Sequence, residues 1–143
     1  MTLPYSVEPL APGLAFGATV SGLKQEHLAG DAVRKSLTDL WTDKGVILFR
    51  GGESSQAMQV ALSGVFGKPQ PFPFKESRSQ GEFPELVNIK YSADDGTAYA
   101  VDGEVIGGWI PWHTDMIYFA EINRGGILRR RGSLHIDAFL AGR

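Results

Sequence analysis

The sequence predicts an α+β chain that is mainly β. Three observations carry this. Eighteen glycines and eight prolines among 143 residues mark many turns, which suits a β-rich chain better than a helical bundle. Two windows repeat apolar residues every three or four positions, the period of an amphipathic helix. Between them Val46-Ile47-Leu48-Phe49 is an unbroken apolar run, as in a strand covered on both faces. One domain is the prior at this length.

Composition narrows the function classes. A net charge of -2 gives no sign of a nucleic-acid or anionic-membrane partner. The absence of cysteine removes disulfide frameworks, thiolate metal sites and cysteine nucleophiles. No apolar run approaches the ~20 residues of a membrane span. Met1 to Leu10 lacks the basic and apolar regions of a signal peptide, so a cytoplasmic location is the expectation.

In chain order, Phe16, Ala18 and Val20 alternate with small residues and predict a half-buried strand, with Gly17 and Gly22 marking a bulge and a turn. Asp31 to Lys44 predicts a helix. Asp31 would cap it, Val33, Leu37, Leu40 and Trp41 share one face, and Gly45 ends it. The strand at 46–49 follows. A second helix is predicted from Ser54 to Phe66, capped by Ser54 or Ser55, with Met58, Ala61, Leu62, Val65 and Phe66 as its apolar stripe. Pro69 to Pro84 is too rich in proline for a central strand and reads as a loop whose phenylalanines pack on the core or line a pocket. Leu86 to Tyr91 resumes strand alternation, Asp94-Asp95-Gly96 is a turn, and Ala98 to Ile106 is a hairpin closed at Asp102-Gly103. Ile122 to Gly126 turns the chain into Ile127-Leu128.

The chemistry-bearing stretch is Gly107 to Phe119. At its centre His113-Thr114-Asp115 sets an imidazole and a carboxylate two residues apart. In an extended segment positions i and i+2 face the same way, so both could meet one metal ion. They would be two members of a 2-His-1-carboxylate facial triad, the donor set of non-haem Fe(II) sites. Spacing alone says little, because a second such pattern, His135-Ile136-Asp137, occurs in the same chain. The flanking Pro111, Trp112 and glycine pair, and the apolar run that follows, suit a ligand pair at the mouth of a buried sheet. A half-exposed His and Asp bonded to each other at a strand end is the alternative left open.

Four segments, in order, give the chain a family likeness: Phe16-Gly17-Ala18-Thr19-Val20-Ser21-Gly22-Leu23, Gly45-Val46-Ile47-Leu48-Phe49-Arg50-Gly51, Phe66-Gly67-Lys68-Pro69 and Trp112-His113-Thr114-Asp115. From Val7 to Leu128 the chain resembles the N-terminal half of the Fe(II)/2-oxoglutarate-dependent dioxygenases of the taurine dioxygenase (TauD/TfdA) type. The resemblance implies a partial double-stranded β-helix (jelly-roll) with flanking helices. It implies His113 and Asp115 as the first two iron ligands. It implies a reaction in which 2-oxoglutarate and oxygen become succinate and carbon dioxide while a small organic acid is hydroxylated.

The likeness stops after Leu128. Residues 1–128 are expected to form the N-terminal half of such a domain and residues 129–143 a divergent, solvated basic tail. The family's distal histidine and its oxoglutarate-binding arginine have no matching positions before Arg143, so the expectation is a chain truncated ahead of both and inactive by itself. Two other readings stand beside the enzyme. One is a catalytically inactive remnant that binds or assembles with a partner, a second copy or a complementary chain. The other is a small cupin-like module using His113, Asp115 and His135. His27 reads as a surface residue.

Overall fold

The computed structural model describes residues 2–73, 75, 78, 81–88, 98–108, 114–118, 120 and 122–129. Their elements are β1 (Ser6–Pro9), β2 (Ala18–Ser21), a 3-10 helix (Gln25–Ala29), α1 (Asp31–Lys44), β3 (Ile47–Arg50), α2 (Gln56–Phe66), β4 (Ala98–Val101) and β5 (Glu104–Gly108). The predicted α+β class stands, but among the described residues the two α-helices hold more of the chain than the five strands. The strands form a three-stranded sheet ordered β1-β2-β3 and a separate hairpin, β4-β5. These described elements do not by themselves close a jelly-roll.

β1 pairs antiparallel with β2, Val7 opposite Val20, and β2 pairs parallel with β3, Val20 opposite Phe49. A parallel pair needs a crossover, and α1 supplies it. The core lies between the inner face of the sheet and the helices. Ala18 and Val20 are buried from β2, Val33 and Leu37 from α1, Ile47 from β3, and Met58, Leu62 and Val65 from α2. Arg34 ties the helical layer together: its Nη2 donates to the Gly64 carbonyl of α2 at 2.6 Å. The Trp41 and Phe66 rings meet edge to face with centroids 5.4 Å apart.

Several predicted boundaries move, each for a local reason. Phe16 does not share the buried face with Ala18 and Val20; it is 57% exposed. Gly17, at φ +78°, turns the chain just before β2, and a β-carbon there would lie 2.6 Å from Leu10 Cδ2. Asp31 is the first residue of α1 and Gly30 the cap, without a side-chain capping bond. Gly45 does end α1: at φ +75° its N–H donates to the Trp41 carbonyl at 2.7 Å. Ser55 is the cap of α2, its hydroxyl accepting from the Met58 N–H at 3.0 Å.

β3 is not covered on both faces. It is an outer strand of the described sheet; Ile47 is buried, Leu48 and Phe49 are half-buried and Arg50 is exposed. The strand pairs parallel with β2, and its apolar run is only partly buried. Phe72 and Phe83 are half-buried, and neither belongs to the cluster of side chains packed on the core. No strand forms over 86–88, where Val87 makes one isolated bridge to Arg78. The hairpin is as predicted: Asp102 and Gly103 link β4 and β5 with φ of 51° and 85°, the backbone of a tight two-residue turn. Phe74, residues 89–91, the turn at 94–96 and the tail beyond Arg129 lie outside the described residues.

Tyr5 is 9% exposed, yet its hydroxyl meets no hydrogen-bond partner among the described residues. An unpaired buried hydroxyl costs about 1–3 kcal/mol. Tyr5→Phe keeps the ring and removes that cost. It is expected to raise unfolding free energy by about 1 kcal/mol, read as a higher urea midpoint at unchanged slope. A lower midpoint would mean that the hydroxyl is bonded in solution.

Candidate metal centre

β5 ends at Gly108, and residues 109–113, including Trp109, Trp112 and His113, lie outside the described residues. The structure therefore places one of the two predicted ligands. Asp115 is exposed and opens a turn that runs to Tyr118. Met116, the second turn residue, has φ +57°, a left-handed conformation unfavourable for a side chain of its size.

That turn bears on two expectations. Asp115 does not sit in a strand, so sharing a face with residue 113 does not follow from strand geometry. Nor does the apolar run after it enter a buried sheet. Ile117 and Tyr118, which follow the left-handed step at Met116, are 67% and 68% exposed. Asp115 and Tyr118 each take part in an interaction.

Among the described residues no three His, Asp or Glu side chains gather closely enough to hold a metal ion. His27 is committed elsewhere. Its Nδ1 accepts from the Lys24 N–H at 3.1 Å and its Nε2 lies 3.8 Å from Glu26 Oε1, a local arrangement at the start of the 3-10 helix. His135 lies outside the described residues. The donors identified fit iron in kind: a carboxylate with solvent access, and an imidazole two residues before it.

The chain after the turn returns to the helices, which sequence reasoning missed. A β-carbon on Gly125 would stand 2.9 Å from Trp41 Cζ2, so the backbone there lies against the indole. Ile127 packs on the core. The Gln59 Nε2 donates to the Ile127 carbonyl at 2.8 Å, and Arg129 Nε donates to Gln59 Oε1 at 3.2 Å. Arg129, expected in a solvated tail, is half-buried. The adjacent Gly125-Gly126 pair is the one sequence signal of this close approach.

A family model, "Taurine catabolism dioxygenase TauD, TfdA family", matches residues 6–132. The chain belongs to the TauD/TfdA family. The match starts with β1, runs through both helices and the hairpin, and takes in His113, Asp115 and Arg129. A search of curated proteins finds no match. For this TauD/TfdA chain, family membership favours dioxygenase chemistry. Among its described residues no helix is long and apolar enough to cross a membrane.

Proposed function

We propose that the chain serves an Fe(II)- and 2-oxoglutarate-dependent dioxygenase that hydroxylates a small organic acid. His113 and Asp115 would be two of the iron's protein ligands. The observation that carries this is a TauD/TfdA match spanning the His-x-Asp pair. Bound iron would supply oxygen activation coupled to loss of carbon dioxide from 2-oxoglutarate. The protein's part is to hold the ion through an imidazole and a carboxylate and leave coordination positions open. The exposed carboxylate of Asp115 offers such a ligand with solvent access.

The test is succinate formation from 2-oxoglutarate by the purified chain with Fe(II), ascorbate and air. Iron-dependent succinate is the result expected of a site completed by a further ligand, from this chain or from a second copy. A folded, iron-loaded sample that forms none would overturn the reading for this chain acting by itself.

A second reading, assembly with another copy or a complementary chain, draws on Ile117, Tyr118 and Ile122. Each is about two-thirds exposed beside the candidate centre. Sedimentation velocity separates the two: a monodisperse monomer across a wide concentration range counts against assembly with a second copy.

A further inference from the structure

Downstream of the Asp115 turn, the chain is fastened to α2 by one side chain used at both ends. The Gln59 amide donates to the Ile127 carbonyl at 2.8 Å, and its oxygen accepts from Arg129 Nε at 3.2 Å. Arg129 Nη1 also reaches the Ser54 carbonyl at 3.4 Å. Gln59 stands on a helix whose Met58, Leu62 and Val65 are buried in the core, so the anchor is rigid.

Between the turn and this anchor, two large apolar side chains stand in solvent. Ile117 and Ile122 are 67% and 66% exposed, so their side chains do not lock the stretch onto the core. The path of a loosely packed segment depends strongly on where its ends are tied. A left-handed residue such as Met116 persists only where its surroundings hold it. A metal ligand must also be placed to within about 0.5 Å.

We infer that Gln59 is a positioning residue for the segment that carries Asp115. By clasping Ile127 and Arg129 to α2, it fixes where the chain leaving the Asp115 turn re-enters the fold. Its relevance to metal binding rests on the reading of Asp115 as a ligand.

The absence of cysteine makes a direct test simple. Nitroxides are attached at Ile117→Cys, beside the turn, and at Asp43→Cys, exposed on α1, and the distance distribution is measured by pulsed EPR. Gln59→Leu is expected to broaden and shift that distribution. In the unlabelled protein, titrated anaerobically with Fe(II), it is expected to weaken binding, by less than the about tenfold that loss of a direct outer-shell partner costs. Gln59→Glu keeps an acceptor for Arg129 and loses the donor to Ile127; its effect should be intermediate. All measurements are made well below the melting temperature of every variant, so lost stability alone moves neither readout. If Gln59→Leu does not fold, Arg129→Ala removes one arm of the clasp and is expected to broaden the distribution less.

An unchanged distance distribution in a folded clasp variant would overturn the inference. If wild-type protein binds no Fe(II) while the distribution still responds, the iron reading fails and the positioning role stands.

Discussion

His113→Ala and Asp115→Ala are each expected to lower iron-dependent succinate formation by at least about 100-fold. A ligand change acts directly on the ion, and loss even of an outer-shell partner weakens a metal site by about 10- to 100-fold. The alanine variants remove a donor atom that water replaces without the same charge or geometry. Asp115 is exposed and opens a turn, so its removal leaves no cavity in the core. Both folding and the far-ultraviolet spectrum should therefore be preserved for Asp115→Ala. His27→Ala is the control. Its imidazole bonds to Lys24 within the 3-10 helix, and iron-dependent turnover should be unchanged. Retained turnover in Asp115→Ala would move the carboxylate ligand to another residue, and retained turnover in His113→Ala would remove the histidine assignment.

Leu37→Ala should have the largest effect on stability. Leu37 is fully buried in the cluster that joins β2, α1 and α2. Truncation loses the transfer energy of its side chain and leaves a cavity that neighbours fill incompletely, a cost of about 2–5 kcal/mol. Domains of this kind are held by only about 5–15 kcal/mol in all. A fall in melting temperature of roughly 10 °C is expected by calorimetry. Phe16→Ala removes a larger side chain, but one that is 57% exposed; it should change stability by within about 0.5 kcal/mol. Equal effects from the two variants would show that Phe16 is covered in solution.

The contrast between Leu37 and Phe16 also shows how far a sequence can be read. Helical period placed Leu37 on the inner face of α1 because three successive turns, at Val33, Leu37 and Leu40/Trp41, repeat the pattern and reinforce each other. Strand alternation also placed Phe16 inside, and there it failed. A four-residue strand offers few repeats, and a single glycine with positive φ before it suffices to change the direction of the chain. The run 46–49 was legible as a strand, but not as an outer strand paired parallel to β2. Neighbour order is a property of the sheet, not of the segment.

The candidate centre divides in the same way. The residue types and spacing of His113 and Asp115, together with the order of the flanking segments, pointed to the TauD/TfdA family, and the family match over residues 6–132 agrees. Spacing also suggested an extended backbone at 113–115; of that stretch the described residues show Asp115 opening a turn with a left-handed Met116.

By itself, the sequence determined the elements whose causes are local: two amphipathic helices with Gly45 and Ser55 at their ends, the Asp102-Gly103 hairpin, and the family signature. Backbone sterics, capping and periodicity act within a few residues, so they can be read along the chain. Tertiary structure alone decided that β3 lies on the outside of the described sheet, that Phe16 faces solvent, and that Gln59 binds the backbone of Ile127, 68 residues further on. Those outcomes depend on which distant surfaces compete for the same apolar area and the same donors. No local pattern in the sequence encodes that competition.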